Sequence, residues 1–305
     1  MSQPLSRDNH TQIPARPDLI RLGIGIIGIG TSGPLIAMSA MPVVTLIFWR
    51  NLGGALFTLP FALRDLITKD RHHRKAIALS ALSGIVLALH FIGFFIAMRW
   101  TTVAAGTALI ALQPIFAALF LRALGGYIPS RAWLGMGVSF LGVLMISGVD
   151  LSISWLAFKG DVAAIISAAL AAIYTMLGSK AQREIGTHSY TSICYFVCAI
   201  TALPIALVMG VEVIHFEKNE WLILLFLIAG AQILGHSMFN ATLKRVSPAV
   251  VSLIVFFEVP VATLLAIWWL DQRPPIALIP GIIVILTGCI LVVLRTRPSE
   301  VMINE

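Results

Sequence analysis

Apolar residues fall in long runs separated by short polar or Pro/Gly-containing breaks. Ten runs cover residues of about 20–39, 43–63, 76–97, 102–121, 131–148, 160–178, 190–210, 221–242, 248–269 and 275–294. A helix needs roughly 20 residues to cross about 30 Å of hydrocarbon, and these lengths match that requirement, the fifth and sixth runs being the shortest. Helices are predicted rather than strands, because a spanning helix satisfies its backbone hydrogen bonds internally. Most connections are shorter than a dozen residues, so no soluble domain is expected to carry separate chemistry.

The runs also repeat. Residues 76–148 align without a gap onto 222–294 at a constant offset of 146. The match pairs Gly84 with Gly230, His90 with His236, Arg99 with Arg245, Pro114 with Pro260, Pro129 with Pro275, Gly135 with Gly281 and Gly142 with Gly288. Leucine coincidences are cheap in an apolar chain; His, Arg, Pro and Gly in register are not. The prediction is an all-α integral membrane protein of ten transmembrane helices, built as two five-helix repeats, 20–148 and 160–294, joined by a linker at 149–159. Five is odd, so the second repeat enters the membrane from the opposite side and the repeats are inverted. In such folds the solute site lies at the repeat interface near the midplane.

Composition agrees. Of 305 residues 58% are hydrophobic and 11% charged, and mean hydropathy is +0.94; soluble domains carry about 25% charged residues. With the N-terminus inside, inner segments hold 16 of the 21 Lys and Arg residues, outer segments hold 4, and Arg50 lies within a helix. That asymmetry places both tails, 1–19 and 295–305, in the cytoplasm, and it explains the net charge of +7 without a nucleic-acid partner. Ala37-Met38-Ser39-Ala40 loosely resembles a leader cleavage site, but removal of the first run would break the two-part symmetry. Cys194, Cys198 and Cys289 lie in apolar runs without neighbouring ligands and read as packing residues. His72-His73 reads as a solvated pair. No metal site and no cofactor is expected.

Ionisable side chains inside the runs are costly in lipid and face a cavity or a partner. Glu258 sits near mid-membrane, roughly 15 Å into its helix. Stripped of water, it suits proton exchange or capture of a cationic group; the structural alternative is a carboxyl steadying the bend before Pro260. His90 and His236 are expected on opposite sides of the midplane, as two gates or half-sites, or else as interhelical hydrogen-bonding groups inherited by duplication. Arg50 lies about 10 Å below the outer end of its helix and is a candidate for a substrate carboxylate, an acidic partner, or snorkelling to headgroups. Gln113, Tyr174, Gln232 and Asn240 are candidate cavity-lining groups. Pro114 and Pro260 interrupt equivalent helices and are candidate hinges. The glycines of the first run, and Gly135/Gly142 with Gly281/Gly288, read as packing faces.

The chain resembles the EamA-type members of the drug/metabolite transporter (DMT) superfamily over roughly 20–294. The likeness is carried by Lys159-Gly160-Asp161-Val162-Ala163-Ala164 leading into Ala171-Ala172-Ile173-Tyr174, by Ser247-Pro248 with Glu258-Val259-Pro260-Val261, by Gly281…Gly288, and by Arg50. The first helix lacks the Trp common in that family, and Leu124-Gly125-Gly126-Tyr127 stands where an acid is usual. The resemblance implies a secondary transporter in the cytoplasmic membrane rather than an enzyme. It would move an amino acid or related metabolite, more often outward, by rocking the repeats about a central site. Protons are the candidate coupling ion, and the oligomeric state is open. An intramembrane lipid-modifying enzyme and a passive channel are the alternatives. The sequence has no HExxH, no Gly-x-Ser-x-Gly and no phosphate-binding loop for ATP.

Overall fold

The computed structural model describes residues 15–67, 73–147, 154–243, 245–246, 251, 254–272 and 276–293. Most of the two tails, His72, Ser247-Pro248 and Pro275 lie outside the described residues. The helices are α1 (Arg16–Met38), α2 (Val43–Ile67), α3 (Arg74–Trp100), α4 (Val103–Ala123), α5 (Ser130–Ser147), α6 (Trp155–Ala181), α7 (Thr187–Val208), α8 (Lys218–Thr242), α9 (Val255–Leu270) and α10 (Leu278–Val293). Each coincides with a predicted run, and no strand occurs among the described residues. Seven are long and apolar enough to cross a membrane, and α5, α9 and α10 are shorter apolar helices.

α1 and α6 start furthest ahead of their apolar runs, by four and five residues. At the head of α1, Pro17 fits the first turn, and Asp18 is buried because Arg21 and Arg245 donate to it. At the head of α6, Ser154 caps the helix by accepting from the Ala157 N–H at 3.2 Å. Local hydrogen bonds hold both first turns, a contribution that hydropathy does not register.

Four helices are irregular. α1 breaks at Thr31, whose hydroxyl donates to the Gly28 carbonyl at 2.7 Å. α4 is split into Val103–Ile110 and Gln113–Ala123. α9 begins as a 3-10 turn, Val255–Phe257, and becomes α-helical at Glu258. Pro114 and Pro260 fall in the first turn of the segments that follow, where a missing N–H leaves no bond unmade. α8 is π-helical over Leu227–Ser237, which the sequence pattern does not predict.

In lipid, helices associate through close packing and interhelical hydrogen bonds rather than through the hydrophobic effect. Small residues therefore mark the seams. The most extensive are α3 on α6, α2 on α7 and α5 on α10, with α3 on α7 and α1 on α8 next. At α5–α10, a Cβ on Gly142 would lie 2.6 Å from the Gly281 carbonyl, and one on Gly288 would meet the Gly135 carbonyl at 2.5 Å. Ser139 donates to the Ile285 carbonyl between them at 3.2 Å. The two helices are thus antiparallel, and positions 139 and 285 are themselves 146 apart. α2 and α7 are also antiparallel: Trp49 Nε1 donates to the Val213 carbonyl at 2.7 Å, while Phe61 lies beside His188 at the other end. In the α7–α8 loop, backbone N–H groups of Val213, Ile214 and His215 donate to Glu212 and hold its carboxyl down at about 2. Large apolar side chains such as Leu56, Phe57, Phe226, Trp268 and Ile283 face outward, as a lipid-facing surface requires.

Candidate functional site: a polar hollow between broken helices

The irregular stretches of α4, α8 and α9 border one cavity of ≈ 40 Å³. Ile29 of α1, His236, Phe239 and Asn240 of α8 form one side; His90 and Phe94 of α3 with Ala171, Tyr174 and Thr175 of α6 form the other. Ile110 and Gln113 of α4, Val255 and Glu258 of α9, and Leu243 and Val251 between α8 and α9 complete the wall. Six of the eight sequence-predicted site residues meet here: His90, Gln113, Tyr174, His236, Asn240 and Glu258.

Several of the wall groups are bonded to one another. The Tyr174 hydroxyl donates to Asn240 Oδ1 at 2.9 Å, and Asn240 Nδ2 lies 2.7 Å from the same hydroxyl. Asn240 Nδ2 also reaches the Tyr195 hydroxyl at 3.3 Å. His90 is clasped by α6. Its Nδ1 lies 2.8 Å from Ser167 Oγ and 3.0 Å from the Ser167 carbonyl, and Ser167 Oγ donates to the His90 carbonyl at 2.7 Å. With the hydroxyl proton committed to that carbonyl, Nδ1 is the protonated nitrogen and donates to the Ser167 carbonyl, and Nε2 is an acceptor.

Two wall groups are unlike these. Glu258 is 3% exposed, begins the α-helical part of α9, and has no hydrogen-bond partner among the described residues. His236 likewise makes only ring contacts there, edge-on to Phe91 at 5.2 Å and to Tyr174 at 6.3 Å. An unpaired carboxyl out of water is costly, and its position at a helix start partly offsets that through the aligned backbone dipoles.

Arg50 and Gln232 stand behind the wall rather than in it. Arg50 is fully buried; Nε donates to Gln232 Oε1 at 2.7 Å and Nη1 to Ser32 Oγ at 3.3 Å. Its guanidinium carbon lies 4.3 Å from the centre of the Phe91 ring. Gln232 in turn donates to Asn51 Oδ1 at 3.0 Å. This corrects two expectations. Arg50 neither snorkels nor bonds an acid, because Gln232, Ser32 and an aromatic face hold it in place. Gln232 does not line the hollow, because its amide is committed to Arg50 and Asn51. His90 and His236 open on the same hollow, with Phe91 between them at 5.2 Å from each ring.

Sequence reasoning missed Ser167, Thr175 and Phe91. Small hydroxyl residues are routine in membrane helices, and nothing in the chain pairs Phe91 with Arg50. It also missed the clasps at the ends of α1. Arg245 Nη2 donates to buried Asp18 at 2.7 Å and Nε at 3.0 Å, and the pairing raises the Arg245 pKa further. At the other end the Glu220 carboxylate accepts from Ser39 Oγ at 2.6 Å and from the Ala40 N–H at 3.1 Å, while Arg99 donates to the Ser39 and Met41 carbonyls. The match of Arg99 with Arg245 was the one available signal, without its partners.

Among the described residues, ten apolar helices, six of which border a buried polar hollow, define a multi-pass membrane protein. The profile of the EamA-like transporter family matches the chain twice, over residues 19–148 and 158–294. The chain belongs to that family, within the DMT superfamily, and is a membrane transporter. It is similar to an uncharacterized transporter of Archaeoglobus fulgidus, 26% identical over 258 residues, 83% of this chain and 88% of the relative. It is also similar to the pseudopaline exporter CntI of Pseudomonas aeruginosa, 23% identical over 260 residues that cover 83% and 87%. A solved crystal structure aligns with a TM-score of 0.72 over 91% of this chain and 96% of that one, at 16% identity; this shows a shared fold.

Proposed function

We propose that the protein is a secondary transporter that moves a small metabolite, an amino acid or related compound, outward across the cytoplasmic membrane by alternating access. The observation that carries this reading is the convergence of α4 and α9, interrupted at corresponding positions, on one buried polar hollow. Paired interruptions of this kind supply sites and hinges in transporters built from repeats. Residues 20–148 and 160–294 are read as inverted repeats with both tails cytoplasmic; the antiparallel packing of α5 with α10 and of α2 with α7 supports the inversion.

Pro114 and Pro260 serve as hinges in this reading, and Glu258 takes up either the solute or a coupling proton. The α1–α8 and α3–α6 seams, closed by polar contacts at Asp18–Arg245 and His90–Ser167, join opposite repeats. Rocking of intact repeats would tear them, so the units that move are these two cross-repeat pairs, which face each other across the hollow.

Proteoliposome flux of an amino-acid panel tests the proposal. Glu258→Gln is expected to lower flux at least about tenfold, the scale of a lost charged hydrogen bond, while the purified protein melts as the wild type does. Undiminished, still pH-responsive flux would remove the carboxyl from the mechanism.

A further inference from the structure

The hollow specifies which end of a solute it recognises. Its wall offers one unpaired acidic group, Glu258, and one unbonded imidazole, His236. The remaining polar groups with resolved bonds hold each other: Tyr174 with Asn240, His90 with Ser167. The nearest cation, Arg50, donates to Gln232 and Ser32, carries Phe91 against its face, keeps Nη2 buried without a hydrogen-bond partner among the described residues, and lies outside the wall. Among the described wall residues a solute carboxylate therefore meets no cationic donor, whereas a protonated amine meets a carboxylate acceptor and an imidazole nitrogen. The cavity of ≈ 40 Å³ is room for a few water-sized groups. That accommodates an ammonium head.

Resting on the transporter reading of this hollow, we infer that the recognised group is a primary ammonium. Glu258 and His236 share its N–H donors, and the solute carboxylate is not required. Charge-assisted N–H donation to an acid in a dry site is strong and directional, and a primary ammonium has three donors to divide between the two acceptors. Acylation of the nitrogen removes both the charge and two of the donors. Esterification of the carboxyl removes neither.

The test uses matched triplets of leucine, phenylalanine and threonine: the free amino acid, its methyl ester and its N-acetyl form. Binding to the purified full-length chain in lipid nanodiscs is read by calorimetry. The expected result is that, for whichever amino acids bind, the ester keeps affinity within about threefold. The N-acetyl form loses more than about tenfold, and Glu258→Gln abolishes that preference. Retained binding of the N-acetyl form with loss of the ester would overturn the assignment while leaving the transporter reading intact. No binding by any member of any triplet would overturn both.

Discussion

The α3–α6 and α1–α8 seams each join the two halves of the chain and carry the matched pair His90 and His236, yet they are held by different means. On α3–α6 the histidine is structural in its bonding: His90 and Ser167 exchange side-chain and backbone hydrogen bonds across the seam. On α1–α8 the equivalent His236 meets no such hydroxyl. The neighbouring surface of α1 presents Gly25, Gly28 and Ile29, and the helices touch backbone to backbone instead. A Cβ on Gly28 would lie 2.7 Å from the Gly230 carbonyl and 2.7 Å from the Gly235 nitrogen. Both histidines border the hollow, but one is fastened to Ser167 and the other makes only ring contacts among the described residues. The π-helical turns of α8 belong to the same difference, since they lie against Gly28 and carry both Gly230 and Gly235. Such turns recur at functional sites.

The largest expected contrast is steric. Gly28→Val forces side-chain atoms against three backbone atoms that have nowhere to go, at a cost of about 3 kcal/mol or more. Gly93→Val on the other seam meets the Ala163 carbonyl at 2.9 Å and the Ser167 Cβ at 3.0 Å, and is expected to cost less. Thermal melts of the two purified variants rank them; a more damaging Gly93 variant would break the comparison.

Next come the histidines. His90→Ala removes the side-chain bonds to Ser167 and is expected to cost about 1–2 kcal/mol, given roughly 0.6 and at most 1.7 per interhelical hydrogen bond. His236→Ala is expected to leave stability within about 0.5 kcal/mol and to reduce solute binding about tenfold. Equal melting losses in both variants, with unchanged binding, would mean that the duplicated pair still has one shared structural role.

The smallest effect lies at the seam ends. Asp18 is buried and accepts from two arginines, whereas Asp161, in the second turn of α6, bonds only Thr101 among the described residues and leaves a buried Oδ1 without a partner. Asp18→Asn is expected to cost about 1 kcal/mol or less, because Arg245 is half exposed, and Asp161→Asn to cost nothing measurable. The two melting curves test this, and a larger loss for Asp161→Asn would reverse the reading.

Much of this was legible beforehand. The ten runs, the doubled register, the glycine faces of α5 and α10 and the interruptions before Pro114 and Pro260 all appear in the sequence. Six of the eight candidate site residues meet in one hollow. Arg50 and Gln232 were misplaced for one reason: each is held by partners from other helices, and a single-chain pattern carries no trace of them.

The sequence by itself determined where the chain crosses the membrane and that it does so twice over. Both are properties of one segment at a time, set by the cost of moving each residue into lipid and by register along the chain. Only the tertiary structure decided which helices pair across the halves, which histidine is fastened, and that Arg50 is sealed away while Glu258 is left unpaired. In lipid, helix pairing is chosen by shape and by a few hydrogen bonds between residues distant in sequence, and hydropathy is blind to both.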